Sequence, residues 1–486
     1  MSHEKEVLQN YGLLDLLKSD EKLRLETEQL AKDAAACLGL ALKDAELPDA
    51  FGSVPVTLLP SVTSQQALKD VLDLQKDINV MMHKVSHDQE FLTTALAGVS
   101  SVDNFIRHLL DIYNKIDIDS QYELEFIRSD YLLHCDGTEL SFLDAVRKGI
   151  YKQVEVNMIC IAFAGLSSKM NDVHERVLRF LGGTPISKEP SGNVLELYGA
   201  TMAKAKEIYE KVHPPAKGRP QILLTVIHKD ERNVMDQRMV EFKSGLTCLR
   251  RTFQQIAEKG ILEDGRLIVE DKEVAVVYYR TGYAPPHYES EKDWDTRLMI
   301  EQSFALKCPS VAHQLSGFKK IQQELSRPEV LQKYVSSKSV QEAMLKTCVG
   351  QWDVSSPHSR EMVDKAMAHP ELFVLKPNRE GGGNNFYDAA VVSKLREVVG
   401  TDQAKEFILM ERILPPLQEN YLVRPTGLLL VPTVSEIGVF GAIITKGNDV
   451  LVNEYAKDVL VRTKAFDVGE GGVATGYACL SSAMVL

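Results

Sequence analysis

The sequence predicts a mixed α/β (α+β) fold with more than one domain. Three observations predict it: apolar residues at helical spacing in the first third, a β-α-β pattern in the middle, and short apolar runs in the last third. The chain has 486 residues, which is more than one ordinary hydrophobic core accommodates. We therefore expect three parts, at residues 1–217, 218–320 and 321–486.

The N-terminal third is predicted to be mainly helical. One helical face is predicted from Leu23, Thr27, Leu30, Ala34 and Cys37. A second helical face is predicted from Ala67, Leu68, Val71, Leu72, Ile78 and Met82. The run from Val56 to Pro60 predicts a strand that ends at its proline.

The middle of the chain predicts a parallel sheet. Proline, glycine and charged residues cluster at 213–220, which we interpret as a domain boundary. A strand is then predicted at Ile222 to Ile227, a helical segment at Met235 to Ala257, and a second strand at Val274 to Tyr279. Such a β-α-β unit favours parallel strands with a right-handed crossover.

Short strands separated by turn residues are predicted in the last third, and their spacing indicates an antiparallel sheet. They lie at residues 373–375, 407–410, 427–432 and 439–445.

Charge and cysteine usage exclude some classes of protein. A net charge of −12 disfavours binding to nucleic acid or to anionic membranes. Residues 1–30 carry many charges and no long apolar run, so we expect no signal peptide, no membrane span and a cytoplasmic location. A leader removed beforehand would leave no trace here. The 7 cysteines are scattered without a C-x-x-C pair, which predicts neither a disulfide framework nor a zinc site.

The segment from Phe373 to Asn385 is the most informative motif. A strand delivers Lys376, a proline ends the strand, and three glycines follow Glu380. Glycines let backbone N–H groups approach a phosphate closely, while lysine supplies a positive charge and glutamate suits Mg²⁺. A bare triplet of glycines is more often a surface turn, but the charged neighbours favour phosphate binding.

Two further segments are weaker on their own. Glu155 and Asn157 lie two apart on a predicted strand, so both side chains point to one face and could bind one cation. Arg462 and Lys464 precede a glycine-rich stretch at residues 469–474, where two cations could hold a phosphoryl group under a movable loop. Taken singly, an exposed strand face and a solvated turn are the commoner explanations.

Together these segments resemble the eukaryotic glutathione synthetase family along nearly the whole chain. Further strings in the same order carry the resemblance, at residues 56–61, 128–131, 231–233, 236–238, 307–309, 319–320, 322–328 and 435–438. The resemblance implies a homodimeric, permuted ATP-grasp enzyme with an inserted Rossmann-like substrate domain and a lid. It also implies that ATP activates the cysteinyl carboxylate of γ-glutamylcysteine as an acyl phosphate, which the amine of glycine attacks.

The resemblance also implies the site residues. ATP is assigned to Lys319, Lys376, Gly381, Gly382, Gly383, Asn384, Asn385, Tyr387, Met410, Glu411, Ile413, Glu436 and Lys464. Mg²⁺ is assigned to Glu155, Asn157 and Glu380. The dipeptide and glycine are assigned to Arg128, Cys160, Ala162, Asn233, Gln237, Arg280, Tyr283, Arg462, Val473 and Ala474. Lys319, Lys376 and Arg462 receive the catalytic task of neutralising charge on the transferred phosphoryl group.

The sequence departs from the family on the peptide side. The family usually has serines where this chain has Cys160 and Ala162, and an aspartate where it has Thr281. A lost hydroxyl that bonded a buried polar group costs about 1–3 kcal/mol. Glu470 replaces an aspartate in the second loop, which is a milder change.

Three functions therefore stay open at this point. The chain is a glutathione synthetase with a tolerated pocket change, a diverged paralogue that ligates another γ-glutamyl peptide or amine, or a nucleotide-binding protein with weak ligase activity and a signalling role. The intact metal and phosphate residues argue against the third. The altered pocket favours the second over the first.

Overall fold

The secondary structure covers most of the chain. A computed structural model describes residues 2–44, 46–47, 49–135, 140–185, 193–215, 218–378, 384–469 and 471–486. The helices are α1 (Ser2–Ser19), α2 (Glu21–Cys37), α3 (Gln65–Ser86), α4 (Gln89–Ser100), α5 (Asn104–Tyr113), α6 (Phe142–Lys148), α7 (Ala164–Phe180), α8 (Val194–Val212), α9 (Val234–Ser244), α10 (Phe253–Lys259), α11 (Glu291–Gln302), α12 (Val311–Ser316), α13 (Lys319–Leu325), α14 (Pro328–Tyr334), α15 (Lys338–Thr347), α16 (Arg360–Ala368) and α17 (Ala389–Val398).

The strands form several sheets, so the predicted mixed α/β class is confirmed. They are β1 (Ala41–Lys43), β2 (Phe51–Ser53), β3 (Val56–Thr57), β4 (Ser61–Thr63), β5 (Tyr122–His134), β6 (Ile150–Asn157), β7 (Gln221–Val226), β8 (Cys248–Arg251), β9 (Gly260–Glu263), β10 (Arg266–Val269), β11 (Lys272–Tyr279), β12 (Leu306–Cys308), β13 (Gln351–Asp353), β14 (Phe373–Pro377), β15 (Phe386–Tyr387), β16 (Phe407–Glu411), β17 (Gln418–Arg424), β18 (Gly427–Lys446), β19 (Asp449–Ala465), β20 (Ala478–Ser481) and β21 (Ala483–Val485).

The largest sheet joins the two ends of the chain. Its seven strands run in the order β17-β3-β20-β19-β18-β5-β6. The long strand β18 pairs antiparallel with β19 on one side and with β5 on the other. Residues from the N-terminal and C-terminal thirds therefore lie on adjacent strands, and this sheet carries the charged centre of the site described below.

The middle segment forms a sheet of its own. Strands β7, β8, β11 and β12 pair in parallel, which confirms the predicted parallel arrangement, and β9 and β10 extend it antiparallel. The single helical segment predicted at Met235 to Ala257 was wrong. Helix α9 ends at Ser244 and is capped by Gly245, whose φ of 68° is easily reached only without a Cβ. Strand β8 then follows before α10 begins.

Two strand predictions in the last third were confirmed and two were wrong in extent. β14 and β16 pair antiparallel within a four-stranded sheet, as predicted for residues 373–375 and 407–410. Residues 427–432 and 439–445, predicted as separate strands, belong to the single 20-residue strand β18 in another sheet. Pairing with β19 continues through residues 433–438, so no turn separates the two halves.

The N-terminal predictions hold for the helices but not for the strand. Helices α2 and α3 match the two predicted helical faces, and Val71, Ile78 and Met82 are buried in the core. The strand predicted to run from Val56 to Pro60 ends instead after Thr57. The chain resumes as β4, which pairs in parallel with β21 outside the large sheet.

Candidate functional site

One large cavity gathers most of the predicted site residues. Its volume is about 1510 Å³. The predicted nucleotide residues that line it are Lys319, Lys376, Asn385, Tyr387, Met410, Glu411, Ile413, Glu436 and Lys464. The predicted peptide residues that line it are Arg128, Cys160, Ala162, Asn233, Arg280, Tyr283, Arg462, Val473 and Ala474. Glu155 and Asn157, predicted to bind the metal, line the same cavity.

A few predicted residues lie elsewhere. Asn384 is exposed and does not line the cavity. Gln237 is fully buried and accepts a hydrogen bond of 2.5 Å from Nη2 of Arg250, away from the cavity lining. Glu380, Gly381, Gly382, Gly383 and Glu470 lie outside the described residues. The roles assigned to all of these residues remain predictions.

Asp130 is the centre of a charged network on the large sheet. It is fully buried and accepts two hydrogen bonds of 2.7 Å from Arg128, one on each carboxylate oxygen. Its Oδ2 also accepts hydrogen bonds of 2.9 Å from Arg462 and from Asn157. Such charge-assisted, two-point contacts fix the direction of a guanidinium. Asp130 therefore positions three predicted site residues, although the sequence analysis assigned it no role.

Gly438 makes room for this network. It lies opposite Asp130 on β18. A Cβ at this position would lie 2.8 Å from Cδ of Arg128 and 2.8 Å from Oδ1 of Asp130. Only glycine lets the ion pair lie flat against the strand. The sequence analysis quoted Gly438 within a family string but did not anticipate this contact, because no local pattern signals it.

Glu155 faces a group of cations at the end of β6. Its carboxylate lies 3.6 Å from the ammonium of Lys319. Burial raises the pKa of Glu155, but the charges of Lys319, Lys376 and Arg462 outweigh this effect and lower the pKa to about 2. Glu155 is therefore ionised at neutral pH. Its neighbour on the same face, Asn157, donates through Nδ2 to Asp130, which leaves Oδ1 as its remaining polar atom.

Two further charges complete the phosphate end of the cavity. Lys376 is buried and donates a hydrogen bond of 3.2 Å to the carbonyl of Val154. Burial lowers the pKa of Lys376, and the nearby charge of Lys319 adds to the effect. Glu436 pairs across β18 and β19 with Arg462. Burial raises the pKa of Glu436, and repulsion from the charges of Asp130 and Glu155 raises it further. The charge of Arg462 offsets these effects only in part.

An apolar slot adjoins these charges. Val374, Met410 and Ile413 form a small buried cluster, with Tyr387 packed against it. The strand pairing of β14 with β16 brings Val374 opposite Met410. Beyond the cluster, the carboxylate of Glu411 accepts a hydrogen bond of 2.8 Å from the backbone of Gly350. A flat aromatic base suits such a slot, which is apolar with polar groups at its edge.

The loop at residues 158–163 forms the opposite end of the cavity, and Asp236 holds it. The carboxylate of Asp236 accepts backbone hydrogen bonds from Phe163 and Gly165, both at 2.7 Å. Cys160 and Phe163 adopt positive φ angles of 53° and 72° within this loop. Asp236 was quoted in the sequence analysis only as part of a string, since its contacts lie some seventy residues away in the chain.

Arg280 and Asn233 offer unused polar atoms beside this loop. Arg280 is buried and donates a hydrogen bond of 2.6 Å to the carbonyl of Ile161. Two buried atoms have no hydrogen-bond partner among the described residues: Nε of Arg280 and Oδ1 of Asn233. Buried polar atoms are rarely left unpaired in the absence of a ligand or water. These two atoms therefore mark where a polar ligand would bind.

Comparison with known sequences identifies the family. The sequence model described as "Eukaryotic glutathione synthase, ATP binding domain" matches residues 21–485. The chain belongs to the eukaryotic glutathione synthase family. Glutathione synthetase from Xenopus laevis is 35% identical and covers 97% of this chain and 98% of its own. Glutathione synthetase from Homo sapiens is also 35% identical, with the same coverage of both chains.

A plant enzyme and a solved structure are also similar to this chain. A chloroplastic glutathione synthetase from Solanum lycopersicum is 34% identical and covers 88% of this chain and 77% of its own. The solved structure of a glutathione synthetase like-effector (GSS30) from Globodera pallida, in its apo form, shares the fold with a TM-score of 0.75 and 20% identity. It covers 96% of this chain and 98% of its own. Within the described part of this chain, no helix combines the length and apolar character needed to cross a membrane.

Proposed function

We propose that this chain is an ATP-grasp ligase that uses ATP and Mg²⁺ to join γ-glutamylcysteine to glycine. Membership of the eukaryotic glutathione synthase family supports this activity. One observation carries the proposal. Three cations act on the carboxylate of Glu155 in one cavity: Lys319, Lys376 and Arg462. The apolar slot lies on one side of them, and the pocket lined by Arg280 lies on the other.

The chemistry explains why cations gather at the centre. A carboxylate is a poor electrophile because its leaving group would be oxide. Transfer of the terminal phosphoryl group of ATP to the cysteinyl carboxylate breaks the bond to ADP and forms an acyl phosphate. The amine of glycine then attacks the carbonyl carbon, and inorganic phosphate leaves with one of the original carboxylate oxygens. Such transfers depend mainly on positioning and charge neutralisation.

The residues divide the work along the cavity. The slot of Val374, Met410 and Ile413 would hold the adenine, and Lys319 and Lys376 would bind the phosphates. Arg462, held by Asp130 and Glu436, would stabilise negative charge on the transferred group. Lys464 donates a hydrogen bond of 2.8 Å to the carbonyl of Gly469, which connects it to the second glycine-rich loop. Closure of that loop would exclude water from the acyl phosphate.

The donor set fits Mg²⁺. Glu155 is ionised and Asn157 presents an amide oxygen on the same face of β6, and hard oxygen ligands are those that Mg²⁺ prefers. Glu155 and Asn157 would hold the ion, with Glu380 as the third protein ligand that the family resemblance implies. When bound, the ion neutralises charge on the phosphates of ATP.

The peptide end supports recognition by arginine and amide groups. Arg280 Nε and Asn233 Oδ1 are suited to bind a carboxylate and an ammonium group of the dipeptide, with Tyr283 beside them. Arg128 donates two hydrogen bonds to Asp130 and one to the carbonyl of Ala162, so we assign it a positioning role. The homodimer, the lid, the domain boundaries and the cytoplasmic location belong to the same proposal and rest on the family resemblance.

A coupled assay tests the proposal. ADP release is measured with γ-glutamylcysteine and glycine together and with each omitted, and the product is identified by mass spectrometry. We expect turnover of about 1–1000 per second only with both substrates present. Lys376→Met should abolish it, whereas Lys457→Met, an exposed change on β19, should not. ADP release that ignores the peptide, or that survives Lys376→Met, would refute the proposal.

A further inference from the structure

A second cluster of ionisable side chains lies outside the cavity. His83 lies in the last turn of α3, His87 is the C-cap residue of that helix, and Glu123 reaches them from β5. One ligand atom of each lies within 4.8 Å of the others, and none of the three lines the large cavity. We propose that His83, His87 and Glu123 bind a divalent transition-metal ion, with Zn²⁺ as the ion that this donor set fits.

The identity of the donors supports this assignment. Two imidazoles and one carboxylate are an established Zn²⁺ ligand set, with bonds of about 2.0–2.2 Å. The backbone of His87 keeps αR angles, so residues 83 and 87, four apart, present their rings to the same side. His87 Nε2 already lies 2.6 Å from Oε2 of Glu123. Only small side-chain movements are needed to place these atoms around one ion.

Each histidine has a second partner that fixes which nitrogen faces the cluster. Nδ1 of His87 lies 3.0 Å from a carboxylate oxygen of Asp119, which leaves Nε2 toward Glu123. Nε2 of His83 lies 2.8 Å from the carbonyl of Gly447, which leaves Nδ1 toward the cluster. Metal-binding histidines usually donate their other ring nitrogen to a carboxylate or a backbone carbonyl in this way. Both arrangements are therefore those expected of ligands.

Glu125 supplies an independent observation in favour of a cation site. It points to the same face of β5 as Glu123, and its side chain is 1% exposed. Among the described residues, neither of its carboxylate oxygens has a hydrogen-bond partner. Nδ1 of His313 lies 3.9 Å from Oε2 of Glu125, beyond hydrogen-bonding distance. A bound dication would balance the charge of such a buried carboxylate.

Without a metal, the same side chains form a hydrogen-bonded network. In that network Glu123 is shared by His87 and His313, while Nδ1 of His83 lies 3.3 Å from Nε2 of His313. In this network neither carboxylate oxygen of Glu125 has a hydrogen-bond partner among the described residues. A bound cation would balance the negative charge that the network leaves buried there.

Zinc content and affinity test the site in the full-length chain. The protein is stripped with a chelator, its thiols are alkylated because Cys37 is exposed, and Zn²⁺ is titrated back in the presence of excess Mg²⁺. We expect one zinc ion per chain and a higher melting temperature on binding. We expect Asp119→Asn, an exposed change, to weaken binding about 10–100-fold and His87→Gln to weaken it further.

Matched variants separate this site from other zinc-binding groups. His358→Gln alters an exposed histidine elsewhere and should leave affinity unchanged. Glu155→Gln alters the large cavity and should also leave it unchanged. Circular dichroism confirms that each variant is folded. The inference is overturned if the chain takes up no stoichiometric zinc, if His87→Gln and Asp119→Asn bind it as tightly as the parent, or if Glu155→Gln removes it.

Discussion

Asp130 and Arg128, two residues apart on β5, form an ion pair in which both nitrogen–oxygen distances are 2.7 Å. The same carboxylate contacts Arg462 from β19 and Asn157 from β6. One buried acid therefore fixes side chains from three strands, at the point where the phosphate end of the cavity meets the peptide end. This relationship leads to the first prediction.

Asp130→Asn should damage both stability and activity. Asparagine keeps the size of the side chain but removes the charge that balances two buried guanidinium groups. Breaking a buried pair in this way costs about 3–5 kcal/mol of unfolding free energy. We also expect kcat/KM to fall by at least about 100-fold, equivalent to roughly 3 kcal/mol of transition-state stabilisation. Urea unfolding and steady-state kinetics measure the two effects. Asp449→Asn, an exposed change on the same sheet, should alter neither.

Gly438→Ala should destabilise the protein, against the usual trend. Alanine normally stabilises a strand interior relative to glycine by about 0.5–1 kcal/mol. Here the new Cβ would meet Arg128 and Asp130 at 2.8 Å, so overpacking should cost about 1–3 kcal/mol instead. Gly98→Ala on α4 is the matched control, because no atom lies within 4 Å of its added Cβ and it should stabilise. Equal effects of the two changes would contradict the packing argument.

Glu155→Gln should change how stability depends on pH. The pKa of Glu155 falls from 4.5 to about 2 on folding, since neighbouring cations favour its charged form. Its contribution is therefore complete above about pH 4.5 and is lost as the pH falls toward 2, with a size on the order of 3 kcal/mol. The stability gap between the parent and Glu155→Gln, measured in urea, should be widest near pH 6 and should narrow below pH 4.5. The exposed change Glu342→Gln should give no such gap.

Cys160→Ser with Ala162→Ser should improve the use of γ-glutamylcysteine. Both side chains line the peptide end of the cavity, and each restored hydroxyl could bond a polar group of the dipeptide. We expect KM for the dipeptide to fall by roughly tenfold to a hundredfold.

The two single variants should differ. Sγ of Cys160 already lies 3.6 Å from the carbonyls of Tyr279 and Thr281, so a serine there would share its hydroxyl with the protein. Most of the gain should come from Ala162→Ser. An unchanged KM in the double variant would mean that the serines are not needed here.

The sequence predicted those parts of the site that local patterns encode. Glu155 and Asn157 were placed on one strand face by the two-residue period, and Lys376 was placed at a strand end by its proline. Asp130, Asp236 and Gly438 were missed as functional residues, because their importance comes from partners on distant segments. The cluster of His83, His87 and Glu123, for which we propose zinc binding, was missed for the same reason.

The errors in the predicted fold arise because local sequence patterns do not reveal long-range pairing. The helical segment predicted at residues 235–257 is divided at Gly245, whose left-handed backbone ends α9 before β8 begins. The strand β18 was divided in the prediction because Pro432 and Gly438 usually interrupt strands. Pairing with two neighbours, which no single segment reveals, keeps that strand continuous.

The central claim is that ligation proceeds through an acyl phosphate, and an oxygen label tests it most directly. γ-Glutamylcysteine carrying ¹⁸O at both oxygens of its cysteinyl carboxylate is incubated with the protein, ATP and glycine, and the released phosphate is analysed by mass spectrometry. The account predicts one ¹⁸O atom in each phosphate released, because the oxygen that bonds the phosphorus leaves with it. Unlabelled phosphate, formed while ATP is consumed and product accumulates, would contradict it.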